Sequence, residues 1–192
     1  MKTYLPSDIQ TILKPTNAKI TDCKMPISLI LTDSRKLTDP VSTIFFEIQT
    51  KRNSGVKYVD DLYKKGVRNF VLPAAVEYDV QYDFNRLADA NLFYVKDTVR
   101  ALQILVANHR SRFDMPVVGI TGSNGKTIVK DWIVQLLGTD RQIVSSPKSY
   151  NSQIGVPLSV WQMVEEHNIG VFEAGISEVG EMSNIQEVIK PT

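Results

Sequence analysis

The residues best equipped for chemistry in this 192-residue chain lie in one run, Val117-Val118-Gly119-Ile120-Thr121-Gly122-Ser123-Asn124-Gly125-Lys126-Thr127. An apolar strand breaks there into a glycine-rich turn that ends in Lys-Thr. Gly122 and Gly125 let the backbone turn tightly and bring its N–H groups close to phosphate oxygens. Lys126 adds a positive charge, and Thr127 a hydroxyl suited to Mg²⁺. The residues that follow, 128–137, have a helical pattern, so a phosphate would meet a helix N-terminus carrying roughly half a positive charge. Gly122 to Thr127, with Ser123 and Asn124, are therefore read as a nucleotide phosphate site. The general phosphate-loop pattern wants a glycine where Ile120 stands, and Gly119 is one residue too early for it.

Elements that could position this loop follow from the hydrophobic pattern. Beyond Pro116 the chain alternates: strand 117–121, helix 127–137 closed by Gly138, strand 142–145, helix 153–166, strand 170–174 and helix 180–189. That alternation predicts a parallel, doubly wound sheet, whose ligands bind beyond the carboxyl ends of the strands. Three loops would meet there: 122–127, 145–151 and 173–177. Glu173 ends an apolar strand, the position from which a carboxylate reaches a Mg²⁺ bridging nucleotide phosphates. A solvated strand-end residue is the alternative for Glu173, and a turn residue the alternative for Asn151.

Upstream, Ser7-Asp8-Ile9-Gln10 has the spacing of a capping box for a short helix ending before Pro15. Runs 27–32 and 43–48 read as strands separated by a polar turn, 56–65 as an amphipathic helix with Gly66 as its C-cap, and 69–72 and 92–95 as further strands. A polar stretch, 77–89, precedes the last of these. Asp97 is placed to cap a helix ending near Phe113. The fold class is thus α/β: a small N-terminal α/β domain, residues 1–97, then part of a doubly wound phosphate-loop domain, residues 98–192.

With 22 basic and 21 acidic residues the net charge is +1, and no stretch has the charge density of a nucleic-acid footprint. No apolar run approaches ~18 residues, so no membrane insertion is expected and a soluble, cytoplasmic protein is. Cys23 is the single cysteine and is read as a buried thiol. His109 and His167 are read as structural or solvated.

Three segments, Thr121–Thr127, Tyr150–Leu158 and Phe172–Ser177 with Gly180-Glu181-Met182, together resemble the ATP-binding core of the Mur ligases, which share the offset glycine. Thr32-Asp33-Ser34-Arg35 followed by Ile44-Phe45-Phe46 is similar to the segment with which those ligases hold the UDP end of their substrate. Within the family the chain most resembles the ligases that add D-alanyl-D-alanine to UDP-N-acetylmuramoyl tripeptide. Residues 65–71 and 125–132 look like the form fused to an alanine racemase, whose pyridoxal phosphate would lie outside this chain.

The resemblance implies ATP-driven activation of a substrate carboxylate to an acyl phosphate, which an incoming amine attacks to form an amide. Carried over by position, Lys126 would stabilise charge on the transferred phosphate and Asn151 would face the reacting centre, the two catalytic candidates. Thr127 and Glu173 would hold Mg²⁺, while Ser34, Arg35 and Asn151 would contact substrate. Where the family often has Asp-Gly-His, this chain has Asn53-Ser54-Gly55-Val56-Lys57, and Glu47 stands where a small residue is commoner. Family members have three domains, so the chain is expected to be an N-terminal fragment, inactive alone, with an open sheet edge prone to self-association. Two other readings stay open: a generic nucleotide switch, and a non-catalytic module binding UDP-linked sugar peptides.

Overall fold

A computed structural model describes residues 3–49, 55–74 and 84–192. Asn53 and Ser54, and most of the polar stretch expected over 77–89, lie outside the described residues. The chain divides into two compact units, the break falling after Ala101.

The first unit is built on a five-stranded sheet. Its elements are α1 (Pro6–Leu13), β1 (Asn17–Lys19), β2 (Leu29–Leu31), β3 (Thr43–Phe46), α2 (Val59–Lys64), β4 (Asn69–Pro73) and β5 (Asn91–Val95). Strand order is β1-β5-β4-β3-β2; β2 to β5 run parallel and β1 pairs antiparallel with β5 at the edge. Every residue of β3 and β4 is buried, as expected of parallel strands covered on both faces. Phe45, Phe70, Leu72 and Leu92 pack on one face with Val59 and Leu62 of α2. Period-two alternation then sends Ile44, Phe46, Val71 and Phe93 to the other face, where they too are buried.

Several details differ from the sequence expectations. The first helix starts at Pro6 with Leu5 as N-cap, and Asp8 Oδ2 accepts from Leu5 N at 2.8 Å, so the cap lies two residues before Ser7. Proline's fixed φ suits the first helical position, which moves the boundary upstream. The helix expected over 56–65 opens as a 3₁₀ turn, Gly55–Tyr58, before α2, and Gly66 closes it at φ +103°. Cys23 is exposed, not buried, because it sits in the turn after β1. Strand β1 itself has only three residues, too few for a periodic signal.

The second unit holds α3 from Leu102 on (α3 is Thr98–Arg110), then β6 (Val117–Ile120), α4 (Lys126–Leu137), β7 (Ile143–Ser145), α5 (Gly155–Val160), β8 (Ile169–Glu173) and α6 (Glu181–Ile189). Asp97 caps α3 as expected, its Oδ1 accepting from Arg100 N at 2.9 Å. The three strands are parallel in the order β6-β8-β7. From β6 the chain steps over β8 to reach β7, then steps back. With right-handed crossovers those opposite steps put α4 and α5 on opposite faces, and α6 packs beside α5.

Helix α5 is much shorter than the 153–166 expected. After Val160 the chain turns twice, burying Trp161 and Met163 while His167 Nδ1 accepts from Val164 N at 3.0 Å. Packing two large side chains outweighs the helical periodicity there. His109 is buried against Trp161 and Phe113, with Nε2 3.1 Å from the Met163 carbonyl. Arg110, also buried, donates to the carbonyls of Ile189, Phe113 and Lys190 at 2.9, 2.7 and 3.0 Å and so closes the C-terminus of α6.

Candidate functional site

Strand register brings the loops together. Ile120 at the end of β6 pairs with Glu173 at the end of β8, and Ser145 at the end of β7 pairs with Val171. All three strands therefore release their chains at one end of the sheet. Gly125, the N-cap of α4, has φ +81°, and no heavy atom comes within 4 Å of where its Cβ would be. Glycine is needed there for backbone conformation alone. Gly122 likewise has φ +147°. Gly175 is small for a different reason: a Cβ would lie 3.0 Å from Asn151 Cγ and 3.1 Å from its backbone oxygen.

A cleft of about 580 Å³ opens over this end, lined by Thr121, Gly122, Ser123, Lys126, Asn151, Ser152, Gln153, Gly175, Ile176, Ser177 and Glu181. Lys126 Nζ donates to the Gly122 carbonyl at 2.7 Å, so its ammonium crosses the loop whose N–H groups begin α4. One residue on, Thr127 Oγ1 donates to Glu173 Oε2 at 3.1 Å. Glu173 has no exposed surface and its N–H donates to Ser146 Oγ at 3.0 Å. Asn151 is tied to the third loop through its carbonyl, which accepts from Gly175 N at 2.7 Å. On the opposite lip Glu181 Oε2 accepts from Ser177 N and Glu178 N at 2.6 and 3.0 Å, and those two bonds hold its carboxyl below the usual range.

Thr127 and Glu173 offer two oxygens, the donor type a hard cation prefers, and 3.1 Å is close to the roughly 3 Å between adjacent oxygens around an octahedral Mg²⁺ with ~2.1 Å bonds. The pair thus fits a Mg²⁺ that takes its remaining ligands from phosphates and water. Among the described residues no group of three or more His, Cys, Asp and Glu side chains could form an all-protein metal cage.

Residues 120–192 match the family model described as the Mur ligase middle domain. Among curated proteins the chain is 33% identical over 162 residues to the UDP-N-acetylmuramoyl-tripeptide--D-alanyl-D-alanine ligase of Bacillus subtilis, covering 84% of this chain and 34% of that one. It is 27% identical over 187 residues to the Synechocystis ligase of the same name, covering 96% and 39%. Residues 120–192 thus carry a Mur ligase middle domain. The fold of the chain agrees: MurF from Acinetobacter baumannii superposes with a TM-score of 0.84 at 22% identity, over all of this chain and 40% of the other. MurF ligase from Thermotoga maritima, solved with ADP, gives 0.68 at 23% identity over 84% and 35%. The chain thus spans about a third to two fifths of the length of the relatives it matches.

The structure gathers Gly122, Ser123, Lys126, Thr127, Asn151 and Glu173 around one end of the three-stranded sheet, with Asn124 in the same loop. Ser34 and Arg35 belong to the other unit, in a 3₁₀ turn, Ser34–Lys36, after β2. Asp33 organises that turn: its Oδ1 accepts from Arg35 N at 3.2 Å, and its two oxygens take Arg35 Nε and Nη2 at 2.9 and 2.8 Å. The Arg35 guanidinium beside it lowers the Asp33 carboxyl to about 2. Arg35 is otherwise exposed, its side chain 87% accessible. Glu47 points inward, fully buried, with Oε1 accepting from Gly55 N at 2.7 Å, at the start of the 3₁₀ turn that leads into α2.

Sequence reasoning missed two residues that line the cleft and one buried lysine behind it. Gln153 and Glu181 line the cleft, and Gln153 Nε2 donates to the Glu181 carbonyl at 3.3 Å. Lys130 is buried, with Nζ 3.2 Å from Glu173 Oε1, at ion-pair distance but off hydrogen-bond geometry. A sequence signal for Lys130 existed: it lies three residues after Thr127, on the same helix face.

Proposed function

We propose that the Leu102–Thr192 unit binds ATP·Mg²⁺ for an amide ligase of peptidoglycan precursor synthesis, and that the unit before it holds the UDP end of UDP-N-acetylmuramoyl tripeptide. The carrying observation is the Thr127–Glu173 pair at 3.1 Å beneath a loop whose Lys126 ammonium opens onto the cleft. Phosphoryl transfer asks for positioning and charge neutralisation more than covalent help, and this arrangement supplies both. Lys126 would meet the transferred phosphoryl group, the N–H groups at the start of α4 would hold the phosphates, and Asn151 would orient the carboxylate that accepts phosphate. Mg²⁺, held by Thr127 and Glu173, would neutralise charge on the phosphate oxygens. The second substrate, D-alanyl-D-alanine, would supply the amine that attacks the acyl phosphate.

Relatives named as D-alanyl-D-alanine-adding ligases favour this reading over a nucleotide switch, and ligation is proposed for a protein of their full length. None of the relatives named above carries a racemase in its name, so the fused racemase and its pyridoxal phosphate rest on the sequence resemblance alone. Isothermal titration of the 192-residue chain tests the proposal. ATP·Mg²⁺ should bind and lose at least tenfold in affinity in Lys126→Ala; UDP-N-acetylmuramoyl tripeptide should bind and lose affinity in Arg35→Ala. Absence of any uridine-dependent heat would exclude the ligase reading and leave a switch.

A further inference from the structure

Lys130 is the most deeply buried charge on α4 and is the only residue of that helix classed as buried. Three and four residues from Thr127 and Lys126, it shares their helix face, yet it does not line the cleft. Its ammonium donates to the carbonyls of Ser146 at 3.0 Å and Lys148 at 2.8 Å, and it lies 3.2 Å from both Glu173 Oε1 and Asp131 Oδ1. The turn it grips is unusual: Lys148 has φ +53°, a left-handed conformation that a lysine adopts at a cost, and its carbonyl is one of the two that Lys130 holds. Ser146 is fastened twice, its carbonyl by Lys130 and its hydroxyl by the Glu173 N–H.

One buried side chain thus joins the three segments that carry the site: α4 with Lys126 and Thr127, the turn leading to Asn151, and the end of β8 with Glu173. A carboxylate with no exposed surface needs its charge compensated, and compensation at Oε1 leaves Oε2 free to face Thr127. The acceptors around Lys130, two carbonyls and the Asp131 carboxylate, offset its charge. It can therefore fix Glu173 without strongly repelling a cation bound at the opposite oxygen.

We propose that Lys130 is a positioning residue for the metal site: it sets the Glu173 carboxylate against Thr127 and so makes nucleotide binding Mg²⁺-dependent. This rests on the ATP·Mg²⁺ reading above. The test compares ATP affinity in Mg²⁺ with that in excess EDTA for the 192-residue chain and for Lys130→Met, with circular dichroism as a check of folding. The wild type should bind more tightly in Mg²⁺. Lys130→Met should keep its EDTA affinity within about threefold, since the loop of residues 122–127 is untouched, and lose tenfold or more of the Mg²⁺ enhancement. A residue that serves stability alone would move both affinities together. Lys130→Gln, which keeps a donor for the turn but removes the charge, provides a second folded variant and should also lose the enhancement. An enhancement unchanged or increased in either variant overturns the proposal, as does unfolding of both. A wild type that binds no ATP in either buffer refutes the nucleotide reading instead.

Discussion

Gly125→Ala isolates what the phosphate loop asks of its backbone. Gly125 holds φ +81° with open space around its Cβ position, so alanine introduces no collision and its whole effect is conformational. A left-handed alanine costs roughly 1–2 kcal/mol, and its stiffer unfolded chain returns roughly 0.4–1 kcal/mol, a net loss of about 1 kcal/mol if the loop keeps its shape. Alternatively the alanine relaxes to negative φ; the fold is then spared, but the first N–H groups of α4 turn away from the phosphate. The two assays therefore trade against each other. Both tryptophans lie in the second unit, and Trp161 is buried, so urea unfolding followed by tryptophan fluorescence reports that unit's stability, while titration calorimetry reports ATP·Mg²⁺ affinity. The expected result is a loss of about 1 kcal/mol in stability, or about fivefold in affinity, or a division between them. A variant as stable as the wild type that binds ATP equally well would refute the reasoning, and so would a stability loss above about 3 kcal/mol, which would require a collision the structure lacks.

Three further outcomes follow from other parts of the molecule. Arg110→Met strips the carbonyls of Ile189, Phe113 and Lys190 of a charged donor in a buried setting, and urea unfolding should show about 3–5 kcal/mol less stability; under 1 kcal/mol would mean those carbonyls find other partners. The Asp33 carboxyl should titrate by NMR near 2 and move up toward the ordinary 3.8 in Arg35→Ala. Because its folded value lies below its unfolded one, the stability it contributes is present above pH 3.8 and is lost as pH falls toward 2; an Asp33 midpoint unmoved by the substitution would contradict the pairing. Helix α4 exposes Ile128, Trp132 and Leu136 along one face, with Trp132 63% accessible, which supports self-association of the chain at raised concentration. Trp132→Glu should lower the apparent mass in light scattering if that face is sticky; an unchanged concentration dependence would place the contact elsewhere.

What the sequence determined on its own is local. The order and type of the elements around Gly122–Thr127 were legible because strand 117–120 alternates with helical periodicity and because glycines at 122 and 125 mark positive φ. Parallel strands followed from that alternation, and so did the meeting at one end of the sheet of the segments that carry Thr127, Asn151 and Glu173. Boundaries were less legible where packing competes with propensity, as at Trp161 and Met163, whose burial cuts α5 short, and where an edge strand has only three residues, as at β1.

Tertiary structure alone decided the rest. The β6-β8-β7 order, which sets Glu173 in the middle strand within 3.1 Å of a hydroxyl 46 residues earlier, depends on crossover handedness and register, and neither is written in any one segment. Spacing in the sequence puts Lys130 on the helix face of Thr127 but does not say that it is buried. Only the fold, by closing β7 and β8 over it, buries its charge and gives it carbonyl partners 16 and 18 residues away. Cys23 and Glu47 show the same limit from the other side, since the apolar thiol lies outside and the carboxylate inside. Composition and periodicity state what a residue prefers, whereas burial is settled by what the rest of the chain places over it.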